Sequence, residues 1–351
     1  MPLINNPTEV EEIYREAAER GIILANFCTA NRRTTEAIFL ATHLFGQRHG
    51  LDDLPVIISA TANYPIEPQL QHYTATGNAL VGLRALLADV DTFLSADSPY
   101  TGVRAMLHLD HALPEVEDAI IPLCLDKFAT IMYDCSYYTF DENIERVARF
   151  VQENKGRVLV EGAVDEVIQS EHASDMEGHL TDPAMAERFL YETGAFLIVP
   201  NLGTEHRSTA AVAKYEGDLA RAIRQRIGPR LVLHGSSSLR DEDLPRLAED
   251  GIIKVNVWSI FERLGGQAVA RDVLRNLGNI LPAEELNRWQ AEGFLGDRLF
   301  DETYVQDQAG GMLGPKGTHL VELHRRMQWH QAVVGRMLFY LEQFGYGRWA
   351  I

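Results

Sequence analysis

Eight short runs of apolar and β-branched residues recur along the chain: Ile22 to Cys28, Val56 to Thr61, Ala105 to His111, Ala129 to Cys135, Arg157 to Ala163, Ala195 to Asn201, Arg230 to Ser236 and Ile252 to Trp258. Each has the length and composition of a buried strand. Between them lie segments with apolar residues three and four apart, among them Thr34 to His49, Pro114 to Asp126, Asp141 to Asn154, Asp182 to Thr193 and Thr209 to Ile227. Each opens near a capping residue or a proline, as helices do. Near-continuous apolar strands alternating with helices predict a parallel sheet covered on both faces, and eight repeats predict closure into a (β/α)8 TIM barrel of the α/β class. An open doubly wound sheet would want a glycine-rich phosphate turn after an early strand, and the chain has none.

The remaining segments fit around that repeat. Thr8 to Arg20 reads as an acidic amphipathic helix before the first strand, and Ala62 to Arg104 is longer than one crossover needs, with a long helix expected over Leu70 to Leu94. Ile260 to Asn279 reads as the closing helix. Residues 1–280 are therefore expected to form the catalytic barrel, and residues 281–351 a helical C-terminal extension. Leu320, Leu323, Met327, Val334, Met337, Leu338 and Leu341 mark an apolar stripe on that extension, suited to packing on the barrel or on a second subunit; a homodimer or homotetramer is the expectation. The glycine-rich stretch Ala309 to Gly317 matches no phosphate-loop pattern.

Charge narrows the partners. Fifty acidic against 32 basic residues give a formal net charge of -18, which argues against a general nucleic-acid binder. No apolar run approaches the ~20 residues that span a bilayer, and the first residues lack the basic start and apolar stretch of a secretory signal. Cys28, Cys124 and Cys135 have neither metal-finger spacing nor a disulfide pattern. A cytoplasmic protein acting on a small molecule is expected, with no membrane and no nucleic-acid partner.

Chemistry concentrates where the expected strands end, the face on which barrel enzymes carry their active sites. The third run closes on Leu107-His108-Leu109-Asp110-His111, three ionisable side chains within four residues, which packing alone does not explain. Alternation sends Asp110 and His111 to opposite faces until the strand bends into its loop, where the two can meet. His111 is then a metal ligand beside a proton-transfer carboxylate, Asp110. Reading the other ends adds Asp134 and Ser136, Glu161, His206, His234 and Asn256. Three histidines from three strands, with carboxylates between them, are best explained by a divalent metal with coordination positions left for substrate oxygens.

HLDHA, the MYDCS run, VEGAVDE, LTDPAMAERFLYETGAFLIVPNLGTEH, LVLHGSSS and KVNVWS follow one another in the order found in the class II, zinc-dependent ketose-bisphosphate aldolases, and the chain resembles that family over roughly residues 8 to 262. The resemblance implies one zinc per subunit on His111, His206 and His234, with a monovalent cation as a further candidate. It implies Asp110 as the proton-transfer residue. It places a substrate phosphate at Gly235, Ser236, Ser237 and Ser238 and at the strand-eight end, Asn256 to Ser259, with Thr61 standing for a serine at the end of strand two. Glu161 and Asp134 are candidates for supporting the metal or a second metal position. The substrate class implied is a sugar or sugar phosphate.

Several positions depart from the family pattern. Arg207 replaces the glycine after the strand-six histidine, Gly235-Ser236-Ser237-Ser238 replaces a more glycine-rich loop, and Trp258 and Ser259 replace a small residue and a threonine. Arg207 becomes a candidate substrate contact, since a guanidinium grips planar oxyanions in a fork. The second glutamate of the family's VExE is Ala163, and the first strand's asparagine stands transposed, as Ala25-Asn26-Phe27. In place of the family's flexible loop stands Asp165 to Gly178, where Glu166, Glu171 and Asp175 are the candidate acids.

Two other readings compete. Lys254 on the eighth strand would serve a Schiff-base aldolase, although the family carries a similarly placed lysine without that mechanism. The chain would alternatively be a non-catalytic barrel supporting a partner aldolase, against which the complete histidine trio speaks.

Overall fold

The computed structural model describes residues 3–165, 180–204, 215–308, 310–320 and 322–350. Eight parallel strands, β1 (Leu24–Cys28), β2 (Leu54–Thr61), β3 (Val103–Ala112), β4 (Thr130–Tyr133), β5 (Leu159–Ala163), β6 (Leu197–Val199), β7 (Leu231–Leu233) and β8 (Ile252–Val257), form a closed barrel in chain order. Closure comes from β8 pairing with β1, in a register that sets Leu24 beside Lys254 and Asn26 beside Asn256. The expected (β/α)8 barrel is therefore the fold. Almost every strand residue is buried, since helices cover the outer face and side chains fill the interior.

Local chemistry explains where the helices start. Asn31 accepts from the Arg33 and Thr34 amides ahead of the helix Arg32–His49, and Asp182 caps Pro183–Thr193, whose first position is proline. At Phe140–Glu153 the Thr139 hydroxyl and the Glu142 carboxylate cap reciprocally.

Two expected helices are broken. The stretch read as one helix over Leu70 to Leu94 is a single turn, Gln69–His72, then Ala79–Phe93, because Gly77 takes a left-handed φ of 66° and Asn78 starts the second helix by accepting from Val81 N. Pro114 to Asp126 retains only the turn Ile121–Cys124. There Glu115 has a φ of 66°, and the buried Glu117 carboxylate accepts from Asn63 N at 2.6 Å and Asn63 Nδ2 at 2.8 Å. Helical periodicity does not register that tie to the loop after β2.

The chain divides into two compact units, Met1–Ile260 with Arg336–Ile351, and Phe261–Gly335. Within the first, the chain's last residues hold the start of β1: Phe344 O accepts from Ile23 N at 3.0 Å, and the buried Tyr346 hydroxyl accepts from Ala25 N at 3.0 Å. Within the second, Gly265 admits the Trp329 indole, for a Cβ there would sit 2.1 Å from Nε1. No helix of the described residues is long and apolar enough to cross a membrane.

Candidate active site

The backbone of β3 changes course at His111, whose φ of 46° lies in the left-handed region, and the register with β4 shifts between Leu109 and Ala112. An extended strand would hold Asp110 and His111 on opposite faces; this bend brings both to one pocket. His111 Nδ1 lies 2.7 Å from Asp134 Oδ2, and Asp134 Oδ1 accepts from Ser136 N at 3.1 Å and Ser136 Oγ at 2.7 Å. The Tyr64 ring stacks on His111 at 4.3 Å between centroids, and the His234 ring meets His111 edge-on at 5.1 Å. With Nδ1 committed to the carboxylate and the ring stacked on Tyr64, a cation would be met through Nε2.

Asp110 is buried among donors. Asn256 Nδ2 donates to its Oδ2 at 3.1 Å, His108 Nε2 lies 3.5 Å from Oδ1, and His234 Nε2 lies 3.9 Å from Oδ1. Burial alone would raise its pKa, yet His234, His111 and His108 outweigh that and hold the carboxyl well below the usual range. Burial likewise opposes charge on His111, and Asp110 and Asp134 together raise the imidazole above its ordinary value. The donor chemistry fits a divalent cation: one atom from each of Asp110, His111 and His234 falls within 4.8 Å of the others, and all three residues are buried.

The pocket encloses about 540 Å³ of empty space, part of it open to solvent. Thr61, Asp110, His111, His234, Gly235, Ser236, Ser237, Asn256 and Ser259 line it, so most of the expected site residues converge. Gly235, with a φ of 67°, turns the chain out of β7 into a short 3-10 turn at Ser236–Ser238. There the Ser236 hydroxyl donates to Asn256 O at 2.6 Å, while Ser238 is buried and donates back to Gly235 O at 2.8 Å. Thr61 organises the loop after β2: its amide donates to Gln69 Oε1 at 3.0 Å, and its hydroxyl donates to Glu67 O. Asp134 stands behind His111. Glu161 is tied to Lys254, whose Nζ donates to both its oxygens at 2.8 and 2.7 Å. His206, Arg207, Glu166, Glu171 and Asp175 lie outside the described residues.

The model of the class-II fructose-bisphosphate aldolases matches residues 8–291. The chain belongs to that family. Solved structures of similar fold include a fructose-bisphosphate aldolase (Fba) from Campylobacter jejuni, at a TM-score of 0.73 and 16% identity over 97% of this chain and 96% of that one. The YdjI aldolase from Escherichia coli K12 aligns at a TM-score of 0.61 and 18% identity, covering 96% of each chain. A putative fructose-1,6-biphosphate aldolase from Coccidioides immitis aligns at 0.62 and 20% identity, over 98% of this chain and 99% of that one.

Five pocket residues of this family member are not among the site residues expected from its sequence: Cys28, Tyr64, Ile66, Glu67 and Gln69. Cys28 is a small buried residue, its Sγ accepting from Ser59 Oγ at 3.1 Å and its thiol pushed up by burial. The other four follow β2: Tyr64, Ile66 and Glu67 on the loop and Gln69 at the start of the turn Gln69–His72. Applying the strand-end rule to that loop would have found them.

Proposed function

We propose that this chain is a zinc-dependent class II aldolase that makes or breaks a carbon–carbon bond in a ketose or related hydroxy-ketone, with fructose 1,6-bisphosphate a poor substrate. The observation carrying the reading is the buried convergence of Asp110, His111 and His234 at the mouth of a barrel whose family is aldolase. His111, His234 and His206 are assigned to the metal, which leaves Asp110 for the proton. A zinc ion held there would supply a Lewis acid able to draw charge from a ketone oxygen.

The residues then divide the work. Asp110 takes the proton from the hydroxyl beta to the ketone. Loss of the proton lets the carbon–carbon bond break to an aldehyde and leaves the electron pair on the ketone-bearing fragment. Asn256 holds the Asp110 carboxylate in place. Asp134 keeps the His111 ring in one orientation. Trp258 and Ser259 line the pocket at the end where the family's phosphate would sit. The Ser236 and Ser238 hydroxyls are already bonded to backbone carbonyls, which reduces what that loop offers an oxyanion.

The test is cleavage of a ketose panel, followed by coupled oxidation of the released aldehyde, with metal-free and zinc-loaded protein. Turnover that chelation abolishes and zinc restores is expected. Equal turnover with and without metal would overturn the assignment.

A further inference from the structure

The barrel interior carries a polar relay behind the pocket. Asn26 on β1 and Asn256 on β8 are register partners, and Asn26 Nδ2 donates to Asn256 Oδ1 at 2.6 Å. Asn26 is fully buried and does not line the pocket, whereas Asn256 does. The Asn256 amide nitrogen in turn lies 3.1 Å from Asp110 Oδ2 and 2.9 Å from His234 Nε2. We infer that Asn26 is a positioning residue: it locks the Asn256 amide in the orientation that presents its NH2 to Asp110 and His234.

Geometry decides the orientation. Turning the Asn256 amide over would bring its oxygen to the Asp110 carboxylate, two acceptors 3.1 Å apart. It would also set its nitrogen against the Asn26 nitrogen. Asp110 thus selects one of two rotamers that differ little in shape, and the Asn26 donor holds the oxygen end of that rotamer in place. Asn26 Oδ1 finds no hydrogen-bond partner among the described residues, so Asn26 contributes its NH2 and leaves an acceptor unmet in a buried site. That cost is characteristic of a group kept for orientation rather than for stability. Alanine, or any apolar residue, at position 26 would let the Asn256 amide turn or drift, and Asp110 would lose a fixed donor.

This inference rests on Asp110 acting as proposed, and its test separates the two. In the full-length zinc-loaded protein, Asn26→Leu fills the volume without a donor and Asn26→Ser keeps a donor in a smaller side chain. A lost neutral hydrogen bond of this kind corresponds to about a tenfold fall in kcat, with KM nearly unchanged. Asn26→Leu is expected to show that fall and Asn26→Ser a smaller one. In a double-mutant cycle, Asn26→Leu should cost almost nothing further once Asn256→Ala is present, because both changes disable one relay. Additive losses, or an unchanged kcat in Asn26→Leu, would overturn the positioning role. Should Asn26→Leu fail to fold, the cycle is run with Asn26→Ser and Asn26→Ala. If wild type cleaves no ketose, the functional reading fails, and a crystal structure of the Asn26 variant still decides: the Asn256 amide must leave its place beside Asp110 and His234. An amide that stays put refutes the relay.

Discussion

Lys254 Nζ donates to both oxygens of Glu161 across the barrel interior, at 2.8 and 2.7 Å, and both side chains are fully buried. Taking one partner away leaves the other as an uncompensated charge in low dielectric. Lys254→Met should therefore lower unfolding stability by about 3–5 kcal/mol, whereas Lys254→Met with Glu161→Leu should recover much of the loss. Chemical denaturation of the three proteins measures this. A lysine whose amine is committed to both oxygens of a buried carboxylate is poorly placed to attack a carbonyl. Borohydride added with a ketose should leave Lys254 unmodified by mass spectrometry; a stable adduct on it would revive the imine mechanism.

His111, His206 and His234 should each be needed for metal. Alanine at any of them is expected to cut bound zinc and turnover together while circular dichroism stays native. Elemental analysis of the purified variants measures the zinc. Unchanged zinc in all three would refute the ligand assignment. Asp134→Asn is expected to act more mildly, losing about 10- to 100-fold in metal affinity, because it orients His111 without replacing it.

The barrel was legible because its signal is repetition: eight apolar runs and the helices between them survive errors in any one boundary. That Asp110 and His111 would meet at one pocket was legible too, since three ionisable groups at a strand end have no packing explanation. What failed was local. Ala62 to Arg104 reads as an over-long connection holding one long helix, yet its first part carries Tyr64 onto His111 and Gln69 onto Thr61. Stacking and amide contacts leave no periodic trace, and the φ of 66° at Gly77 that breaks the helix is a backbone property one glycine only permits. Asn26 reads as a displaced family residue; only the β1–β8 register shows what it reaches.

Asp110→Asn tests the division between base and ligand. Asp110, His111 and His234 are close enough for all three to touch one ion, so a carboxylate needed as a ligand would take metal away with it. If Asp110 instead moves the proton, the variant should keep full zinc occupancy and lose turnover by about 10²-fold or more. Metal content and kcat read on the same preparation distinguish the cases. Loss of zinc would make Asp110 a ligand, and near-normal turnover would remove it from the mechanism.

Fructose 1,6-bisphosphate should be handled poorly. Trp258 and Ser259 line the pocket where the proposed reading would place a phosphate, and the Ser236–Ser238 turn spends two hydroxyls on backbone carbonyls. Glycine lets backbone N–H groups close on an oxyanion, and larger residues there reshape the site instead. Glu67 and Asp110 line the pocket, so a doubly phosphorylated ketose meets acidic neighbours there. Steady-state rates for that bisphosphate, for non-phosphorylated ketoses and for carboxylated ones, all with zinc, decide the matter. Trp258→Gly should shift the ranking towards the bisphosphate if space is what excludes it. A wild-type kcat/KM for the bisphosphate above about 10⁴ M⁻¹s⁻¹, and higher than for the others, would return the chain to ordinary bisphosphate cleavage.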